Sequence, residues 1–453
     1  MSVTGELRSL DRHQWSAIVA SFLGWALDAF DFFLMVFAFS AVAKEFHAAI
    51  SQVTVAVMLT LAARPFGALV FGLMADRFGR RPILMTSVLL YSALELSSAF
   101  APSLAVLLIL RALFGFAMGG VWGVGASLAL ESIPPKTRGV VSGVLQVGYA
   151  TGYLLASVAF YFLFDRIGWR GMFLIGAAPA VLAVFIQLNV RESPTFDAGG
   201  SGPVRSPLYL FALAAVALVI AAGPAIAGAV VKISILNWVY AIDAPLALAG
   251  LWFFRKHWKM AVYVVALMTM LNFLSHGTQD LYPTFLKSAR FNTQVTGALT
   301  AVGNVGAISG GVFFGSWSEK LGRRRAIILA CFLGLLMIPL WTFSHTAVLL
   351  GLGAFLLQFM VQGAWGVIPA HLNELSPPEA RGAFPGYAYQ VGNLLASGCS
   401  VWQAQLAEAR HDNYGLALAI VAGASILGVI ALTVRGPERR DVAFGAASQA
   451  ETP

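Results

Sequence analysis

Long apolar runs, each near 20 residues and set apart by short charged turns, recur along almost the whole chain. A helix of that length crosses the hydrocarbon core of a bilayer, and a helix satisfies its own backbone there. The pattern predicts fourteen spans, over residues 15–39, 52–75, 82–100, 104–128, 140–164, 171–190, 207–231, 233–254, 260–286, 294–317, 326–343, 348–371, 383–403 and 415–434. Residues 191–206 carry Ser, Pro and Gly and read as loop. The expected division is a six-helix half over 1–191, a linker over 192–206, two extra spans over 207–254, a second six-helix half over 255–434 and a disordered tail over 435–453. Twelve spans, without the central pair, is the alternative.

Composition removes the soluble reading. The 453 residues are 58% hydrophobic and 11% charged, where a soluble domain carries about a quarter charged residues. The class is an all-α polytopic membrane protein whose partner is the lipid bilayer. The net charge of +8 then reads as loop charge and not as a nucleic-acid surface. Twenty of the 29 Lys and Arg fall on one side of the predicted topology and seven on the other, with Arg64 and Arg111 left inside spans. That bias places both termini in the cytoplasm, and the expected location is the cell's inner (plasma) membrane. Met1 to Gln14 is polar and the first apolar run is long, so no cleavable signal is expected. Cys331 and Cys399 both lie in apolar runs and imply no disulfide framework. With no P-loop, metal-ligand cluster or nucleophile arrangement, the chain does not read as an enzyme and calls for no cofactor or metal.

The two halves repeat. Gly72-Leu-Met-Ala-Asp76-Arg77-Phe-Gly79-Arg80-Arg81 returns 243 residues later as Gly315-Ser-Trp-Ser-Glu319-Lys320-Leu-Gly322-Arg323-Arg324. Glu131-Ser-Ile-Pro134-Pro135-Lys-Thr-Arg138-Gly139 returns at the same shift of 243 as Glu374-Leu-Ser-Pro377-Pro378-Glu-Ala-Arg381-Gly382. Two motifs at one offset argue for duplication, and parallel six-helix halves place a substrate site near the bilayer midplane. At this point the chain resembles the major facilitator superfamily, whose cytoplasmic loop signature is matched by Gly72–Arg81. Asp76 or Glu319 beside Arg77, Arg80, Arg81 and Arg323 at helix ends can form ion pairs that differ between two conformations, so these residues are expected to act as gating latches for the outward-facing state. Simple topogenic charge is the alternative.

Polar residues within the apolar runs carry the chemistry. Asn272, His276, Asp280 and Thr284 recur in steps of four, with Ser275 and Gln279 between them. On one helix all six share a face. Ionisable groups at membrane depth cost about 2.5–3.5 kcal/mol each on insertion scales and mark cavities or partners; a packing stripe bonded to neighbouring helices is the alternative. Arg64 lies midway along the second span, and Asp28 and Asp31 stand one turn apart in the first. Arg64 is either fixed in an ion pair with one of these aspartates or free to hold an anionic substrate. Arg111 opens a stretch with Gly115 and Gly119 suited to close helix approach, and is expected to tune coupling. Gln146, Tyr149 and Tyr153 share one helical face, as do Gln390 and Asn393, as cavity hydrogen-bonders or as satisfied interhelical contacts. Glu95, Lys232 and Asp243 have no specific reading.

Asn272-x-x-Ser275-His276-x-Thr278-Gln279-Asp280-x-x-x-Thr284 resembles the signature of the sialate:proton symporter family, which includes lactate/pyruvate–proton symporters and sialic acid transporters. Trp25-x-x-Asp28-Ala-Phe-Asp31-Phe-Phe and Gln390-x-x-Asn393 are similar to its monocarboxylate branch, whereas the two extra central spans resemble the sialic acid members. The resemblance implies that Asn272 and His276 contact substrate, that Asp280 takes part in proton coupling, that Arg64 holds the carboxylate and that Gln390 and Asn393 shape selectivity. The expected function is import of a small monocarboxylate anion with a proton by alternating access, in a monomeric protein. Gln279, Tyr149 and Tyr153 complete the expected substrate set, and His276, Asp280, Asp28 and Asp31 the proton-coupling set. Sialic acid or another organic acid is the alternative substrate, and a non-transporting nutrient sensor the alternative class.

Overall fold

The computed structural model describes residues 10–133, 137–192, 255–376 and 384–438. Its first half runs α1 (Arg12–Glu45), α2 (Ile50–Phe78), α3 (Arg80–Ala99), α4 (Leu104–Glu131), α5 (Arg138–Ile175) and α6 (Ala180–Asn189). The second runs α7 (Trp258–Gln279), α8 (Tyr282–Ser288), α9 (Thr293–Leu321), α10 (Arg323–Thr342), α11 (Ala347–Leu375), α12 (Phe384–Ala396), α13 (Cys399–Glu408) and α14 (Tyr414–Arg435). Side-chain caps start several of them: Asp11 forms a capping box with Gln14, and Asn292 and Asn413 accept from Val295 N and Leu416 N.

Ten stretches among the described residues are long and apolar enough to cross a bilayer. One of them, Val144–Asn189, has 46 residues. At 1.5 Å per residue that is about 69 Å, more than one crossing needs. It is broken at Gly168, whose φ of 63° is left-handed, and so crosses twice. Helices α12 and α13 are each too short to cross, and together, across the break at 397–398, they make one further crossing. Among the described residues the result is a bundle of twelve crossings. The predicted spans over 207–231 and 233–254 lie outside the described residues.

The offset of the sequence motifs also relates the helices. Adding 243 to the bounds of α2 and α3 gives those of α9 and α10. Packing repeats with it: a Cβ on Gly67 would run into the Phe116 carbonyl, and one on Gly310 into the Phe359 carbonyl. Glycine at these positions lets α2 ride directly on α4, and α9 on α11.

One element departs from the sequence pattern. The four-residue spacing predicts a single helical face from Asn272 to Thr284, yet the helix stops at Asp280–Leu281 and restarts as α8. Pro283 is the cause, because proline has no N–H and its ring clashes with the preceding turn, which confines it to the start of a new helix. Thr284 therefore stands beyond a break and does not continue the stripe.

Two carboxylates tie the halves together at the bundle end opposite the Gly79 and Gly322 loops. Glu408, ending α13, accepts from Ser51 N at 2.8 Å and Ser51 Oγ at 2.7 Å at the start of α2. Asp165 of α5 accepts from Thr293 Oγ1 at 2.6 Å and Gln294 Nε2 at 2.7 Å at the start of α9.

Candidate functional site

In the middle of the bundle α1, α2 and α5 face α7, α11 and α12. Arg64 comes off α2 beside Pro65, where Gly119 of α4 lies against its carbonyl. Its Nη2 sits 3.1 Å from Asp28 Oδ2 of α1, with side chains 3% and 0% exposed. The guanidinium also lies 5.3 Å from the Trp25 ring centroid, a cation–π contact that strengthens when water is excluded. An aromatic wall continues from there: Tyr149 packs on Trp25 at 5.6 Å and Phe33 at 5.3 Å, and Phe33 stacks on Tyr153 at 3.6 Å.

The second half answers with His276. Its Nδ1 lies 3.2 Å from Asp280 Oδ1 one turn along α7, and its Nε2 lies 3.4 Å from Asn393 Oδ1 of α12. Each ring nitrogen faces an oxygen, as the Asn393 amide is oriented here, so the proton count of the ring and its hydrogen bonds are linked. Across the interface Phe32 of α1 meets the imidazole edge-on at 6.0 Å, and Tyr153 Oη donates to the Gln279 carbonyl at 3.1 Å. The rest of the stripe turns toward α11: Gln279 Nε2 donates to Gln358 Oε1 at 3.2 Å, Gln358 Nε2 to Thr278 Oγ1 at 3.1 Å and Gln362 Nε2 to Ser275 Oγ at 3.2 Å. Asn272 is buried but donates to Met268 O of its own helix. A small void of about 10 Å³ lies beside this network, lined by Tyr153, Gln279, Tyr282, Asn304, Trp341 and Gln358, room for roughly one water.

The residues singled out in the sequence thus sort into groups. Arg64, Asp28, Tyr149, Tyr153, His276, Gln279, Asp280 and Asn393 converge on the centre. Gln390 sits half-buried on α12, one turn before Asn393, with Oε1 enclosed and without a hydrogen bond among the described residues. Asp31 turns away from Arg64 toward the interior of its own half. Gln358, Gln362 and Asn304 were missed. Gln358 and Gln362 stand one turn apart on α11 and both bond to α7, a four-residue spacing that was passed over in the sequence, whereas Asn304 is a single amide on α9 that donates to Ser157 Oγ and Thr300 O.

The loop motifs pair as duplicates. Arg80 Nε lies 3.3 Å from Glu131 Oε2, and Arg323 Nε lies 3.0 Å from Glu374 Oε1. These acidic partners come from the second repeated motif; Asp76 and Glu319, the acids of the first, occupy the last turns of α2 and α9. Gly79 and Gly322 both hold φ of 102°, freeing the chain to turn sharply between helices. Glu192 accepts from Arg80 N at 2.9 Å and Arg81 N at 3.1 Å, at the first turn of α3. These ion pairs lie within one half and join α3 to α4 and α10 to α11.

The sequence profile of the Major Facilitator Superfamily matches residues 21–397. The chain belongs to that superfamily. As a member it is a multi-pass membrane transporter and not an enzyme, and the superfamily architecture accounts for the two duplicated halves around a central site. A "Carboxylic acid transporter protein homolog" of Saccharomyces cerevisiae is 28% identical over 451 residues, covering 96% of this chain and 70% of that protein. The "Sialic acid transporter NanX" of Escherichia coli is 24% identical over 391 residues, covering 86% of each. Among solved structures, a partially occluded inward-open form of the E. coli xylose transporter XylE superposes with a TM-score of 0.71 at 17% identity, covering 96% of this major facilitator chain and all (100%) of that one. A peptide transporter of the POT family bound to a thioalcohol-conjugated peptide superposes with a TM-score of 0.74 at 13% identity, covering 94% and 96%. At such identities the likeness to the solved structures is one of fold.

Proposed function

We propose that this transporter is a proton-coupled symporter of the sialate:proton symporter type, importing a small monocarboxylate such as lactate or pyruvate. The observation that carries the reading is a buried guanidinium on one side of the central interface and a buried His–Asp couple on the other. A carboxylate entering the chamber displaces Asp28 and takes the Arg64 fork. A proton on the His276–Asp280 pair offsets the incoming charge, so the loaded carrier crosses without working against the membrane potential, which otherwise costs about 2.3 kcal/mol per charge per 100 mV. The Arg and Lys bias puts the Gly79 and Gly322 loops in the cytoplasm, and on that orientation the Ser51–Glu408 and Thr293–Asp165 clasps seal the outer face. The paired loop arginines brace each half while the halves rock, a role different from the outward-facing latch expected from the sequence.

Relatives named for carboxylic acid, sialic acid and cis,cis-muconate transport support an organic acid as substrate. A second reading, sialic acid or another organic acid, draws support from the relative named for sialic acid transport and from the neutral donors and acceptors that Gln358, Gln279 and Asn304 gather beside α7. The deciding experiment is uptake of labelled lactate, pyruvate and sialic acid into proteoliposomes at two external pH values. Acid-stimulated, sodium-independent uptake of one of them supports the reading. Binding without counterflow would make the protein a sensor, and equal uptake at both pH values would remove proton coupling.

A further inference from the structure

Glu95 of α3 and Arg111 of α4 take no part in the central chamber, and Asp31 of α1 joins them. Arg111 Nη2 lies 2.7 Å from Glu95 Oε2 and donates to Ser98 Oγ at 2.6 Å. The guanidinium carbon sits 4.4 Å from the Phe114 ring centroid and 5.1 Å from that of Phe173. Asp31 reaches the same spot: a Cβ on Gly176 would stand 3.1 Å from Asp31 Oδ1 and 2.6 Å from Glu95 Cγ. The charged and titratable groups facing Asp31 are Glu95 and Tyr91 from α3, Arg111 from α4 and Asp28 from its own helix. Asp31 and Glu95 are 0% exposed and Arg111 is 1% exposed. Neither Asp31 oxygen has a hydrogen-bond partner among the described residues.

Charge counting decides what this cluster holds. Among the described residues, the interior of the first half contains three carboxylates (Asp28, Asp31 and Glu95) and two guanidiniums (Arg64 and Arg111). Arg64 serves Asp28 and Arg111 serves Glu95. An ionised carboxylate left over at zero exposure costs several kcal/mol, and a bound proton removes that cost. Asp31 and Glu95, facing one guanidinium, offer one shared proton-binding position. The cluster is also wired to the substrate. On the reading above, a carboxylate that takes Arg64 releases Asp28, one turn from Asp31, and adds a further unpartnered acid. Substrate binding therefore favours proton binding here, and by linkage the proton favours substrate.

We propose that Asp31, Glu95 and Arg111 form a second proton-binding site, buried in the first half and separate from His276–Asp280, which loads as the carboxylate engages Arg64 and empties as it leaves. This rests on the symport reading. The test uses the full chain in proteoliposomes and whichever of labelled lactate, pyruvate or sialic acid the wild type carries. Counterflow at equal pH measures movement without net proton transfer, and accumulation under an acid-outside gradient measures coupling. For Asp31→Asn and Glu95→Gln the ratio of accumulation to counterflow should fall at least tenfold, with the pH dependence of counterflow flattened. A ratio within threefold of wild type in either folded variant overturns the site. Proportionate loss of both activities in both variants, with thermal unfolding unchanged, also overturns it, because that is the mark of a structural pair. A wild type that exchanges but never accumulates sinks the symport reading itself, before any variant is measured.

Discussion

Arg64 and Asp28 face each other in a setting almost without solvent, so removing one partner leaves the other charge stranded. Breaking such a buried pair costs about 3–5 kcal/mol. Arg64→Ala should therefore abolish carboxylate binding, with at least a hundredfold loss of apparent affinity in uptake. Arg64→Lys should restore less than a tenth of wild-type activity, because an ammonium cannot fork onto a carboxylate while holding its place against Trp25. Wild-type affinity in Arg64→Ala would refute the pairing. At His276 the hydrogen bonds differ with protonation, and Asp280→Asn removes the carboxylate that answers the ring 3.2 Å away. That variant should keep exchange but lose acid-driven accumulation; uphill, acid-stimulated uptake would exclude Asp280 as a coupling residue. Much of this centre was legible in the chain, since Arg64, Asp28, His276 and Asp280 are costly residues inside apolar runs. The sequence left open whether Arg64 pairs with Asp28 or Asp31. Both stand on α1 one turn apart, and only the packing of α3 and α4 shows that Asp31 belongs to Glu95's side of the helix.

At the scale of elements, the apolar runs foretold the twelve described crossings, and the shared offset of 243 foretold their pairing. The break after α7 was not foreseen, because the four-residue spacing of Asn272, His276, Asp280 and Thr284 continues through Pro283 as though the helix did. Periodicity reports which residues can share a face, and a proline decides where that face ends. Helix-to-helix approach yields a prediction of its own. Gly67→Val would force α2 off the Phe116 carbonyl of α4 and shift the backbone that carries Arg64. Overpacking of this kind costs about 1–3 kcal/mol or more. Thermal unfolding in detergent can be followed with a thiol-reactive dye, because Cys331 and Cys399 are both buried and free in the fold. The variant should unfold at least 5 °C lower than wild type, and an unchanged midpoint would show that the helices can separate there without penalty. Gly72→Ala is the control, since a Cβ there has nothing within 4 Å.

Across the whole molecule, the conformation is set by what joins the halves. Glu408 and Asp165 each accept two hydrogen bonds across that boundary, and hydrogen bonds to charged groups contribute about 1.5–3 kcal/mol each. Glu408→Gln with Asp165→Asn should weaken both clasps and move the population toward the opposite conformation by tenfold or more. Spin-label distances between the start of α2 and the end of α13 would report it as a longer second population; an unchanged distance distribution would show that the clasps do not hold the closed end. The same scale shows where the duplication has lapsed. The loop ion pairs persist in both halves, but the positions 243 residues from Arg64, Asp28 and Arg111 are Ala307, Leu271 and Ala354, and those 243 residues before His276 and Asp280 are Phe33 and Phe37. The loop ion pairs that brace each half were inherited twice, and the buried charges at the centre were written once on each side, in different letters. A chain built this way can change the side chains at its centre in one half while the braces at its rim, held in duplicate, stay as they are.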